Sequence, residues 1–280
     1  YLPKWLMLFK TKQMNEITHL SFSRLKALSH SPLCLKRYIE QTRTSTKAMD
    51  EGTLLDCLLF EQETFHDRFF IMPEGVKKPT ISQINAKKPS AETLEQITVW
   101  EGIQSRIGKR IVITQDQYND STNIAESVRN NSTVAFQGLL HPVNFLFQVT
   151  TEFFYKGFKH KGIKDAEGVD RNGKRVIWDL KRMGARSGEQ LVRAQIRHNQ
   201  YDLQAAIYCH KFDEINEPVD YFIIAVDNEG YVTPFRISRD AREKARWQWN
   251  RLIAAAHRVN MEGLDMGPEF WADSEGFFDF

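Results

Sequence analysis

With 280 residues, 41% of them hydrophobic, 26% charged and 12% aromatic, the chain has a globular composition and the length for one large core or two small ones. A net charge of +2 excludes a globally basic protein. No apolar run reaches the roughly 18–20 residues that span a bilayer, so no membrane partner is expected. The three cysteines, Cys34, Cys57 and Cys209, are odd in number and widely spaced. They form neither a disulfide framework nor a C-x-x-C zinc site, and they fit a reducing cytoplasm. The eight histidines show no H-E-x-x-H spacing.

Residues 1–19 read as an N-terminal extension. They are apolar with scattered lysines, contain Met14 as an internal start, and lack the small-residue cleavage site of a signal peptide. Residues 20–280 read as a single domain, with a helical N-terminal region over 20–140 and a sheet with its helices over 141–280. "LSFSRLKALSHSPLCLKRYIE" offers Ser21 or Ser23 as a helix N-cap, a break at Ser31-Pro32 and a second helix over about 33–41. "TKAMDEGTLLDCLLFEQETFHDRF" predicts a third helix with Leu54, Leu55, Leu58 and Leu59 on its apolar side. Asp56 and Phe60 lie one turn apart on another face. The stretch 76–116 predicts loops and a helix over about 91–103, and "ITQDQYNDSTNIAESVRNNSTVAFQGLL" a helix starting near Thr114 or Asp116.

The pattern then changes period. Alternating β-branched and aromatic residues predict strands over about 144–155, 158–169 and 175–181, with turns at "KGFKHKG" and at Asn172-Gly173. A helix over about 190–211, a hairpin turning at Asn228-Glu229-Gly230 and a last helix over about 240–260 complete the chain. Helices first, then strands interleaved with helices, predict an α/β fold with a mixed central sheet.

One strand carries the chemistry. In "RVIWDLKR" a hydrophobic run leads straight into Asp179, Leu180 and Lys181. Side chains alternate along a strand, so Asp179 and Lys181 share one face and Leu180 the other. A lone D-x-K is usually a strand-end ion pair. Here the preceding strand brings Asp165 across a hairpin, and Glu152 sits one strand earlier. Three carboxylates around one lysine repel, and a hard divalent cation with oxygen ligands, such as Mg²⁺, removes that cost. The lysine can position or deprotonate an attacking water and stabilise phosphate charge, which is phosphodiester hydrolysis. Between residues 156 and 197 there are twelve Lys and Arg against five Asp and Glu. That fits either a nearby polyanion or a solvated basic surface. Taken singly, Tyr208 and Trp178 read as core aromatics and Gln204 as solvent-facing.

Asp165, a hairpin and Asp179-Leu180-Lys181 resemble the PD-(D/E)XK nuclease motif. Gln204 and Tyr208 in "QYDLQAAIY" are similar to the Q-x-x-x-Y element of the RecB-like branch, and "LSFSRLKALSHSPLCLKRY" to its N-terminal segment. "EGTLLDCLLFEQETFHDRF", "QYNDSTNIAESVRNN" and the terminal "EFWADSEGFFDF" resemble segments of the RecE-type, phage-type exodeoxyribonucleases. The resemblance implies a PD-(D/E)XK nuclease core and metal ligation by Asp165, Asp179 and the Leu180 carbonyl, with Glu152 as an additional acidic position. It implies Lys181 as the catalytic lysine, and Gln204 and Tyr208 as groups orienting DNA or that lysine. It also implies Mg²⁺, with Mn²⁺ as a substitute, and a 5′-to-3′ exonuclease acting on double-stranded DNA ends. The product would pass to a single-strand annealing recombinase, and the enzyme would form a homo-oligomeric ring. Two departures stand out. Asp56 occupies the family's histidine position, where it either ligates a second metal or is an ordinary surface residue. Arg182 stands where relatives carry threonine. Too few cysteines are present for the iron–sulfur cluster of some RecB-like nucleases. The rival readings are a non-catalytic DNA-binding module on a decayed nuclease fold, and a single-strand or structure-specific nuclease.

Overall fold

The computed structural model describes residues 16–41, 45–141, 144–183 and 188–272. The expected extension up to residue 15, Arg186 of the basic stretch and the end of "EFWADSEGFFDF" lie outside the described residues. Chain order begins with β1 (His19–Leu20), α1 (Phe22–His30) and α2 (Pro32–Glu40). Ser21 caps α1 by accepting from the Arg24 amide. Ser31 ends α1 and caps α2, with Pro32 in the first turn where its missing N–H costs nothing. Ile17, at the edge of the expected extension, is buried, and its amide donates to Asn260 Oδ1.

The third helix, α3 (Lys47–Phe60), stops earlier than its sequence suggests. A 3-10 turn (Gln62–Thr64) and α4 (Phe65–Arg68) follow, and the chain then enters β2 (Phe69–Ile71). After α5 (Ile81–Ile84) and α6 (Ala91–Ile107), β3 (Ile111–Ile113) pairs with β2 in parallel. Strands of three residues carry no readable alternation, and both escape a reading by periodicity. Thr114 starts α7 (Gln115–Asn130) through a capping box with Gln117, and Asn131 caps α8 (Ser132–Gln137).

The main sheet is built from β1, β4 (Phe145–Tyr155), β5 (Phe158–Val169), β6 (Arg175–Arg182), β7 (Val219–Val226) and β8 (Val232–Ile237). It is mixed: β6–β7 and β1–β5 are parallel, the other pairs antiparallel. Between β6 and β7 the expected single helix is two, α9 (Glu189–His198) and α10 (Tyr201–Glu214). The break falls at Gln200, whose φ of 57° is left-handed. The last helix is α11 (Arg239–Glu262).

Each face of the sheet has its own core. On one side Ile177, Tyr221, Ile223 and Ala225 pack with Leu203, Ile207, Trp249 and Ile253 of α10 and α11. On the other, Ala166, Val176, Trp178, Leu180 and Ile224 pack with Leu54, Leu55 and Leu58 of α3 and with Ile124 and Val128 of α7. This is an α/β fold with a mixed sheet between helical layers.

The edge of β5 positions the site. β4 runs along one edge of β5. The other edge is shared: β1 pairs at Lys159 and His160, and β6 pairs from Ala166 to Val169. Among the described residues, 161–165 therefore have no ladder partner on that edge, and β6 leaves β5 just before Asp179.

Candidate active site

Alternation along β6 sends Val176, Trp178 and Leu180 into the α3 side, so Asp179 and Lys181 project toward α10. Trp178 is a core residue, its indole N–H donating to the Leu139 carbonyl at 3.0 Å. Asp179 is only 2% exposed. It pairs with the Lys181 ammonium through Oδ2 and accepts from Gln204 Nε2 at 3.1 Å through Oδ1.

Asp165 stands where the β5–β6 ladder ends. Its Oδ2 accepts from the Leu180 amide at 2.7 Å, so a side chain takes the place of the missing backbone partner. The N–H and C=O of one strand residue point to the same edge, so the Leu180 carbonyl faces the same gap. Asp56 approaches from α3. Burial, and after it the charge of Asp179, push its pKa up to about 7. Burial and Asp179 likewise hold Asp165 well above the usual carboxylate range. Asp56 is half-buried on its helix and lies close enough to feel the charge of Asp179.

Lys181 responds in the opposite sense. Burial works against its charge, but Asp179 and Asp165 outweigh burial and raise its pKa. Without a cation at the carboxylates, its protonated form is favoured. Tyr208, one turn beyond Gln204, is nearly buried, and burial with Asp179 pushes its hydroxyl to about 12. Its ring lies against Gly162 on the unpaired stretch of β5. A Cβ at that position would come within 2.5 Å of the ring, so only glycine leaves the tyrosine its place.

The structure does not bring Glu152 to this group. Phe147 pairs with Ala166 and Val149 with Lys164, so the register runs unchanged past Gln148, whose φ of 52° interrupts the ladder opposite Asp165. Glu152 lies opposite Lys161, and its carboxylate is held by Lys159 at 2.6 Å and Lys161 at 3.5 Å, which lowers its pKa. Arg182 is also engaged elsewhere, with Glu51 at 3.3 Å and Asn228 at 3.2 Å.

Two residues that sequence reasoning missed belong to the surroundings. The Tyr201 ring lies 5.1 Å from the Lys181 ammonium, a cation–π distance. Its signal was its place three residues before Gln204, on the same helical face. Gly162 had no signal beyond being a glycine inside a strand pattern.

Among the described residues, no three His, Cys, Asp or Glu side chains form a ready-made metal cage. Asp179 is turned to Lys181 and Asp165 to the Leu180 amide. The donor chemistry still fits a hard divalent cation. Asp56, Asp165 and Asp179 are oxygen ligands that repel one another, and Mg²⁺ characteristically takes only one or two carboxylates and keeps water.

Comparison with known proteins gives the same architecture. The profile of the PDDEXK-like domain of unknown function (DUF3799) matches residues 21–238. A crystal structure from Eubacterium rectale, described as that of a candidate exonuclease, superposes with a TM-score of 0.55 at 14% identity, covering 88% of this chain and 82% of that one. A second, SSO0001, shares 13% identity over 79% of this chain and 90% of that one, and its TM-score of 0.31 carries no argument. No curated protein matches the chain.

Proposed function

Because the chain belongs to the PDDEXK-like family (DUF3799), we propose that it is a metal-dependent nuclease that hydrolyses phosphodiester bonds in DNA. The observation that carries this is the unbalanced charge at the parting of β5 and β6. Asp56, Asp165 and Asp179 converge there, and among the described residues Lys181 is the ammonium paired to them, through Asp179. Asp165, Asp179 and the Leu180 carbonyl would hold the cation, with Asp56 available for a second. When bound, such an ion neutralises phosphate charge and lowers the pKa of the attacking water. Gln204 fixes one oxygen of Asp179, leaving the other to Lys181. Lys181 orients the scissile phosphate and stabilises the charge that builds on it, and Tyr201 and Tyr208 wall the site against bulk water. The resemblance to RecE-type exonucleases supports a finer reading: Mg²⁺ as the ion, double-stranded ends as substrate, 5′-to-3′ resection, a ring of identical subunits and an annealing protein downstream.

End-labelled linear duplex, closed circular duplex and single strand, each incubated with Mg²⁺ or with chelator, test this. Loss of label from linear duplex alone, abolished by chelator, is expected. Cutting of circles would replace the exonuclease with an endonuclease. Binding without cutting in Mg²⁺ and in Mn²⁺ would leave a DNA-binding module.

A further inference from the structure

Lys26, on α1, has no carboxylate partner among the described residues. Its ammonium donates to the neutral Asn199 Oδ1 at 2.8 Å. Asn199 and Gln200 form the turn between α9 and α10, and Gln200 Nε2 donates to Ser29 Oγ on α1 at 3.0 Å. The next residue, Tyr201, lays its ring 5.1 Å from the Lys181 ammonium. Three consecutive residues therefore hold two ammonium groups, one from a helix and one from the sheet, at one place. Lys181 is neutralised by Asp179, whereas Lys26 meets only an amide. Burial and then the charge of Lys181 pull the Lys26 pKa below the ordinary lysine value. An amide oxygen needs no cation as its donor, so the Lys26 charge is left to meet an anion such as a phosphate at the mouth of the site.

We propose that Lys26 is a strand-binding residue that seats a DNA phosphate next to the one held by Lys181 at the carboxylates. This rests on the nuclease reading above. The chemistry recognised is a phosphodiester, and the contact is electrostatic, so it carries no base preference.

The test is the salt dependence of binding. A labelled duplex is titrated with the full chain by fluorescence anisotropy at several NaCl concentrations, in an Asp165→Asn background that stops cleavage. Losing one phosphate contact lowers the slope of log affinity against log salt by about 0.7–0.9. Lys26→Gln is expected to show that fall, and Lys26→Arg to restore the slope. Asn199→Ala keeps the charge, and it is expected to weaken binding while leaving the slope unchanged. An unaltered slope in Lys26→Gln, from a protein that still binds duplex, overturns the inference and makes Lys26 a clip between α1 and the α9–α10 turn. A parent chain that neither binds nor cuts duplex overturns the nuclease reading instead.

Discussion

The two ends of α10 handle buried charge in opposite ways. At the C-terminal end, Asp213 accepts from Arg242 at 3.0 and 3.3 Å and from Arg246 at 3.3 Å. Arg242, itself 2% exposed, spends its remaining donors on the Ile237 and Val219 carbonyls. Both oxygens of the one carboxylate there have cationic donors, and the group ties α10 to α11 and β7. Toward the N-terminal end, Gln204 and Tyr208 reach a group with three carboxylates and too few cations. A fold under selection for stability alone removes such an imbalance. Its survival at a break in the sheet, beside Lys181, marks the second group as the place for a charged ligand.

The largest effects should separate these two ends. Lys181→Ala removes the donor aimed at the reacting phosphate, and turnover per folded molecule is expected to fall on the order of 10²–10³-fold. Arg242→Met should do the reverse. It leaves Asp213 buried with an incomplete set of partners, costing about 3–5 kcal/mol, while cleavage per folded molecule stays near the parent's. Denaturant unfolding and single-turnover cleavage read the two quantities independently. A Lys181→Ala protein that cuts as fast as the parent would make the D-x-K a structural ion pair.

A smaller effect follows from the imbalance itself. The folded protein holds Asp56 near pKa 7 and Asp165 well above the usual carboxylate range, so it binds more protons than the unfolded chain above about pH 4. Stability of the metal-free protein must then fall as pH rises through the window from about 4 to 7 and beyond. Asp165→Asn is expected to raise the metal-free melting temperature at pH 8, by about 2–4 °C for each kcal/mol of repulsion relieved, and to flatten its pH dependence. Added Mn²⁺ should stabilise the parent more at pH 8 than at pH 6, and this gain should disappear in the variant. A metal-free parent that becomes more stable between pH 5 and 8 would show that the carboxylates do not meet.

Much of this site was legible because alternation is a strict rule. Counting by two from Trp178 puts Asp179 and Lys181 on one face, and Asp165 sits one hairpin away. The same rule fails where the backbone departs from it without a glycine or proline to announce the departure. Gln148 and Gln200 both adopt positive φ, the first interrupting the β4–β5 ladder without shifting its register and the second splitting the helix expected over 190–211. Two-residue β1 and three-residue β2 and β3 are fixed by pairing that no local pattern records. Asp56 was legible only through resemblance. On a helix with Leu54, Leu55 and Leu58 in the core, nothing local tells a polar residue facing a carboxylate cluster from one facing solvent.

The smallest expected effect concerns Glu152, and it tests the register between β4 and β5. In that register Glu152 faces Lys161 and bridges it to Lys159 on a partly exposed stretch of the hairpin. Exposed ion pairs of this kind contribute little, because solvent screens them and both long side chains lose freedom. Glu152→Gln should therefore leave the melting curve, metal titration and turnover as they are. It also frees two lysines beside the site, so any change in DNA affinity should be a modest tightening that fades with added salt. A loss of turnover approaching that of Asp165→Asn would place Glu152 among the metal-binding carboxylates and require a different register between β4 and β5.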